Sequence, residues 1–314
     1  MNFISLFKKS RTLIKLNLLN HNKFILPNLY LNKMYKEDFA YIKTILFYFD
    51  NVEYMHLGDH LFFIPLIKSF QDSGYKVEVL PTAIMQQFFE KLGFKIGKRD
   101  FTYESYDLII SRIEMIDQLY RYKAVLVNVS KNLTMPICDQ LVSDFSVFVK
   151  LNKISPIIDY SALKDDKIYN KFNLSTDRQL ILFNLYCDAA SYLITKSKKK
   201  LILDKLKEFN DSNLYQLVFV GSQSDKLNDR MNYEFDYLDL RGMTSVIDIF
   251  AIANLSNSRC YIGFDAFVMH VFSLLNKPSY VVFRGRLSKK QHNLLKVFHV
   301  NLFKHDNYVT LLNE

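Results

Sequence analysis

Short apolar runs alternate with helical periodicity in two stretches of this chain, separated by a weaker pattern over residues 151–177. In the first stretch, residues 44–49 form an apolar run closed by the polar Asp50-Asn51-Val52-Glu53 loop. Leu61, Phe62, Ile64, Leu66, Ile67 and Phe70 then repeat at helical spacing up to Gly74. Residues 76–80 read as the next strand, halted by Pro81, and 83–92 as a helix with Gly93 as its C-cap. Runs at 106–110 and 123–129 add two buried strands. Such alternation predicts a parallel sheet covered on both faces.

The second stretch repeats the scheme. Its predicted strands are 180–184, 215–220, 237–240, 260–262 and 279–283, with helices at 197–209, 246–255 and 266–275. The pattern therefore predicts two Rossmann-like α/β halves: residues 41–170 and residues 171–300. Residues 1–40 read as a basic amphipathic extension, with Phe3, Leu6, Phe7, Leu13, Ile14 and Leu16 between Lys8, Lys9, Arg11 and Lys15. Such a segment either lies on an anionic membrane surface or packs on the body of the protein. Residues 301–314 form a tail expected to pack back on the first domain.

Composition narrows this little. The 314 residues, 49% apolar and 23% charged, suffice for two cores. No apolar run approaches the roughly 20 residues that span a bilayer, so neither a transmembrane helix nor a signal peptide is expected. Cys138, Cys187 and Cys260 lack metal or disulfide spacing, which fits a reducing cytosol. The net charge of +9 calls for an anionic partner: a membrane surface, a phosphorylated glycan or nucleic acid. No nucleic-acid recognition module is visible, so that class is set aside.

The chemistry concentrates between Asp239 and Gly285. Asp239-Leu240-Arg241-Gly242, Thr244-Ser245, Gly263-Phe264-Asp265, His270 and Lys277-Pro278 occur there in order, with His56-Leu57-Gly58-Asp59 and Pro65 far upstream. This set resembles glycosyltransferase family 9, the bacterial ADP-heptose:lipopolysaccharide heptosyltransferases, over roughly residues 42–285. The resemblance implies a GT-B fold, its two Rossmann-like domains presenting parallel sheets to an interdomain cleft. It also implies inverting transfer from a nucleotide diphosphate sugar to an anionic glycolipid or oligosaccharide acceptor, in the cytoplasm and peripherally at the inner membrane.

Each candidate carries two readings. Asp59 follows the first strand and is either the N-cap of the next helix or, as the resemblance implies, the base that takes the acceptor's proton. His56 and His60 beside it either touch the acceptor or tune Asp59, or are ordinary loop residues. Asp265 and Ala266 stand where a strand meets a helix whose N–H groups suit a diphosphate, with Phe267 in the first turn. His270, one turn inside, supports that site or is a buried imidazole. The family usually has Asp-Thr-Gly-x-x-His where this chain has Asp265-Ala266-Phe267-Val268-Met269-His270. A hydroxyl and a glycine are lost, which places the usual phosphate grip and the usual donor in question.

Ser191, Thr195 and Lys196 match the family's diphosphate-contacting residues, or simply begin a solvated basic helix. Gly221 lies at another strand end, where the base and ribose would sit. Met243, Thr244 and Ser245 would line the same pocket, or cap the helix that follows. No Asp-x-Asp triplet, GxGxxG, Walker A loop or GxSxG elbow occurs, so no metal and no cofactor are expected. A transferase using another nucleotide sugar for capsule or O-chain, and a non-catalytic nucleotide- or glycan-binding member, remain as alternatives.

Overall fold

A computed structural model describes residues 29–32, 36–50, 55–112, 115–119, 122–127, 137–149, 151, 158–187, 194–229, 231–283 and 308–312. The chain divides into two compact units, 1–132 with 137–158, and 133–136 with 159–314.

In the first unit the strands are β1 (Leu29–Asn32), β2 (Thr44–Tyr48), β3 (Lys76–Leu80), β4 (Leu108–Arg112) and β5 (Ala124–Val127), and the helices α1 (Leu57–Asp72), α2 (Ala83–Lys91), α3 (Ile116–Leu119) and α4 (Ile137–Ser146). The sheet order is β1-β5-β4-β2-β3, parallel except for β1, which runs antiparallel along β5. Alternation along β2 explains the unbroken apolar run. Leu46 and Tyr48 pack on one face with Ile109 and Leu126, while Phe47 meets Phe70 of α1 edge-on at 6.0 Å. Phe70 in turn meets Phe145 of α4 at 5.7 Å. Among the described residues no helix is long and apolar enough to cross a membrane.

The second unit contains α5 (Ile168–Phe172), β6 (Gln179–Phe183), α6 (Lys196–Leu206), β7 (Tyr215–Phe219), α7 (Gln223–Asn228), β8 (Leu238–Asp239), α8 (Val246–Asn254), β9 (Ser258–Phe264), α9 (Phe267–Leu274), β10 (Ser279–Val282) and β11 (Val309–Leu311). Its sheet, in the order β11-β10-β9-β6-β7-β8, is parallel throughout. The α/β class and both parallel sheets are as the sequence predicts.

Several boundaries differ. Residues 1–28 and 33–35 lie outside the described residues; Leu29–Asn32, within the expected extension, pairs with β5 as a sheet strand. The units divide at 158/159, ahead of the expected 170/171, because Tyr160 stacks on Phe250 at 5.9 Å and Lys171 pairs with Asp248 at 2.6 Å. Of the tail, residues 308–312 are described, and Val309–Leu311 extends the second sheet beside β10. β4 begins two positions later than expected, since Asp107 is occupied in joining strands. Its Oδ2 accepts from the N–H groups of Lys43 and Thr44 at 2.9 and 2.8 Å and from the Thr44 hydroxyl at 2.9 Å.

Replacing Asp107 with Ala leaves those donors at the head of β2 without their acceptor. At this exposed site water can replace the acceptor, so the variant should lose about 0.5–1.5 kcal/mol of stability, read as a lower urea midpoint with an unchanged m-value.

Candidate active site

In both sheets the first long parallel strand lies inside the sheet, not at its edge. β2 has its successor β3 on one side and β4 on the other, and β6 has β7 on one side and β9 on the other. The chain therefore reverses direction at β2 and at β6. Loops leaving the carboxyl ends on either side of such a switch diverge, opening a crevice for ligands.

In the first unit the crevice lies between β2 and β4. Helix α1 starts at Leu57 with His56 as its N-cap, which corrects the expectation that Asp59 caps it. Asp59 sits in the first turn instead. Its N–H donates to the His56 carbonyl at 3.0 Å, and its Oδ2 accepts from the His56 N–H at 3.3 Å, an arrangement that also suits the helix dipole. Arg112, the last residue of β4, donates Nη1 to the same Oδ2 at 2.8 Å. The two side chains are only 12% and 20% exposed. Both bonds fall on Oδ2, so one oxygen is held while Oδ1 takes no bond among the described residues. At the same edge Arg99 pairs with Asp50 at 2.5 Å.

His56 is exposed beside this pair. His60 is not, and its expected contact with an acceptor is corrected: it is 0% exposed and packs edge-on against Phe49 at 5.7 Å. Its Nδ1 donates to the His56 carbonyl at 3.1 Å, and Nε2 accepts from the N–H and hydroxyl of Thr82 at 3.4 and 3.2 Å. Burial lowers its pKa from 6.5 to about 4, the His56 carbonyl opposes this, and the Arg112 charge adds to it.

In the second unit the crevice lies between β6 and β9. Asp265 follows β9 directly, and Ala266 is the N-cap of α9, with no side-chain acceptor for the helix's leading N–H groups. Phe267 opens the helix and packs edge-on against Phe250 at 6.1 Å. His270 is buried in the second turn. Across the crevice Asn184 follows β6. Its Nδ2 donates to the Val220 carbonyl at 3.0 Å and its Oδ1 accepts from the Tyr186 N–H at 2.5 Å, tying the ends of β6 and β7 together.

Gly221, just past β7, admits no side chain: a Cβ there would stand 2.6 Å from Asp225 Oδ2. Gly242 has φ +75, and a Cβ on it would collide with the side chain of Gln223. Arg241 before it is the hub of this edge. It is 4% exposed, bonds Asp229 at 2.6 Å and Asp239 through Nε at 2.9 Å, and lies 3.8 Å above the Phe219 ring. Asp229 also accepts from Tyr186 and Tyr233 hydroxyls at 2.6 and 2.8 Å. Burial disfavours its charge, but these donors, the Met231 N–H and Arg241 outweigh that and hold the carboxyl below the ordinary range.

Of the remaining expected donor residues, Thr195 and Ser245 spend their hydroxyls as N-caps of α6 and α8, accepting from Lys198 and Asp248 N–H groups at 3.3 and 3.2 Å. Thr244 is half-buried, Met243 is 58% exposed, Lys196 is exposed, and Ser191 lies outside the described residues. A cavity of about 370 Å³ opens beyond β6 and β7, lined by Tyr186, Lys199, Ser224 and Asp225 among others. Lys199 sits with Nζ 3.6 Å from the centre of the Tyr186 ring. Burial lowers its pKa, against the charges of Asp229 and Asp225.

Sequence reasoning missed Arg112, Asp229 and Tyr186, and passed over Lys199 as one of a lysine run. A charge closing the apolar run of β4 was the available signal for Arg112. The edges as a whole offer a fixed carboxylate in one unit and, in the other, a helix N-terminus and a half-buried ammonium suited to an anion.

No protein-family model matches this chain, and no curated sequence matches it either. Solved structures do. The Escherichia coli ADP-heptose LPS heptosyltransferase II superposes with a TM-score of 0.59 at 15% identity, covering 86% of this chain and 90% of that one. A glycosyl transferase family 9 protein from Veillonella parvula gives 0.58 at 14%, covering 86% of each chain. The E. coli heptosyltransferase WaaC, solved with ADP-2-deoxy-2-fluoro heptose, gives 0.51 at 13%, covering 83% and 98%. At such identities the shared property is the fold, and the fold is the GT-B fold expected from the sequence.

Two outcomes follow from the polar groups. His60 is neutral in the fold but protonates below pH 6.5 when unfolded, so its contribution is complete above 6.5 and is lost as pH falls from 6.5 to about 4. Denaturation at pH 7.5 and 4.5 should differ by up to about 3 kcal/mol from this group, a difference reduced in His60→Gln. Arg241→Met leaves the buried Asp229 carboxylate without a cation, while Asp239 keeps Lys226 at 3.4 Å, and should cost about 3–5 kcal/mol, measured by urea unfolding.

Proposed function

We propose that this chain is a glycosyltransferase of the family 9 kind that transfers a sugar with inversion and without a metal. ADP-heptose is the first candidate donor, and a lipopolysaccharide core or related bacterial surface glycan the acceptor. The observation that carries the reading is Asp59 in the switch-point crevice of the first unit, held on one oxygen by Arg112. The GT-B fold shared with structures named as heptosyltransferases supports it.

In this reading the acceptor hydroxyl gives its proton to Asp59 Oδ1 as its oxygen bonds the anomeric carbon from the face opposite the leaving group. The bond from that carbon to the diphosphate breaks, and its electron pair leaves with the nucleoside diphosphate. Arg112 orients the base. The N-terminus of α9, beside Asp265 and Ala266, meets the growing negative charge through backbone N–H groups and dipole. Lys199 supplies a cation, favoured over Lys196 by its place in the cavity beyond the ends of β6 and β7; Gly221, Met243 and Thr244 border the space for base and ribose. His270 supports α9 from within, and His56 is the acceptor-side contact. The net charge of +9 suits an anionic acceptor and peripheral attachment to the cytoplasmic face of the inner membrane.

A second donor class is favoured by one observation. Ala266 and Phe267 provide neither the hydroxyl nor the bare backbone of the usual family loop, so UDP- or GDP-linked sugars compete with ADP-heptose as donor. A thermal-shift panel separates them, because a ligand bound only to the native state stabilises it by RT ln(1 + [L]/Kd).

With the donor so identified, Asp59→Asn should lower kcat by roughly 10²–10⁴-fold with little change in donor affinity. Arg112→Ala should lower kcat less and leave the donor KM unchanged. Full transfer by Asp59→Asn would sink the catalytic reading, and donor binding without turnover in the wild type would favour a non-catalytic binding protein.

A further inference from the structure

At the opposite edge of the second sheet from Asp265 and Gly221, a cavity of about 570 Å³ opens beside the start of β7. Tyr215, Tyr233, Phe235 and Tyr237 line it, each partly exposed. Their rings are fixed from behind. Tyr233 hydrogen-bonds Asp229 at 2.8 Å. Phe235 and Tyr237 meet Phe183 edge-on at 5.9 and 6.0 Å, and Tyr215 meets Phe209 at 5.2 Å. Rings already locked lose little entropy when a ligand covers them.

The polar groups between the rings differ from those elsewhere on this basic chain. Glu234 and Asp236 are exposed and line the cavity, and neither has a hydrogen bond or ion pair among the described residues. Arg178 also lines the cavity, where its Nη1 donates to the Ser212 carbonyl at 3.2 Å, so the two carboxylates outnumber the one cation. Aromatic faces carry negative charge density that attracts the polarised C–H groups of a sugar ring, while carboxylates accept from its hydroxyls. A single ammonium group would also suit rings and carboxylates, but the volume argues against it. It falls within the roughly 300–1,000 Å³ of sites that enclose whole small ligands.

We propose that this cavity is a second carbohydrate-binding site, which takes a neutral oligosaccharide of a few sugar units and, because of Glu234 and Asp236, disfavours anionic glycans. The choice of a glycan over other polyols rests on the transferase reading above. Holding an uncharged stretch of a long acceptor here, apart from the donor edge, would raise the local concentration of its anionic end there.

Saturation-transfer NMR of the full chain with maltohexaose, cellohexaose and mannohexaose, and with a hyaluronan hexasaccharide as the anionic control, tests this. At least one neutral hexasaccharide should bind, with hyaluronan at least fivefold weaker. Tyr237→Ala and Phe235→Ala should weaken binding tenfold or more. Glu234→Gln and Asp236→Asn, exposed substitutions with no packing to lose, should weaken it about threefold without moving Tm. All four variants should keep the thermal shift given by the nucleotide sugar that stabilises the wild type. The proposal is overturned if no neutral saccharide binds, if binding survives all four substitutions, or if only tetramethylammonium gives a signal. Absence of any donor shift in the wild type would count against the transferase reading alone, since saccharide binding at this cavity is read separately.

Discussion

A parallel sheet whose first strand lies within it has to send successive connections to both sides, and the places where they part are set by topology before any side chain is chosen. Here that constraint acts twice, at β2 and at β6. The sequence spends its unusual polar residues at those two places. Asp59 and Arg112 come from opposite sides of the first switch, and Asn184 and Asp265 from opposite sides of the second. Neither juxtaposition is local in sequence: the first is an ion pair, the second a meeting of neighbouring strand ends. Each exists because the strand order brings the ends together.

The second unit shows how the rest of an edge is kept stiff around such a place. Arg241 gathers Asp229 and Asp239, and through Asp229 the hydroxyls of Tyr186 and Tyr233. The same tyrosines then belong to different neighbourhoods, Tyr186 to the Lys199 cavity and Tyr233 to the aromatic segment that leads to β8. That segment follows a helix of only six residues. Phe235 and Tyr237 lie against Phe183 and Phe219 where a longer crossover helix would otherwise cover the sheet. Covering a sheet with rings instead of a helix leaves their outer surfaces open.

The central strands were legible because burial on both faces turns each of them into an apolar run, and the order of the motifs carried the GT-B expectation. What escaped was whatever depends on remote partners. β1 and β11 pair through backbone with strands far away in the chain, which leaves no mark on side-chain periodicity. The start of α1 was misplaced because His56 and Gly58 are weak initiators and Asp59 is a strong one. With the helix one turn earlier, His60 points its ring into the core, four residues after the carbonyl it bonds. Ser245 illustrates the reverse: the plain capping role its place allowed is the one it has, and Thr195 caps the basic helix expected after it.

The antiparallel strand Leu29–Asn32 lies along β5, the margin of the otherwise parallel first sheet. Without it, β5 would offer a bare row of amide and carbonyl groups to any other extended polypeptide. Among the described residues Leu29–Asn32 thus becomes the margin itself, a strand of four residues that leaves only a short row of such groups for another chain to meet.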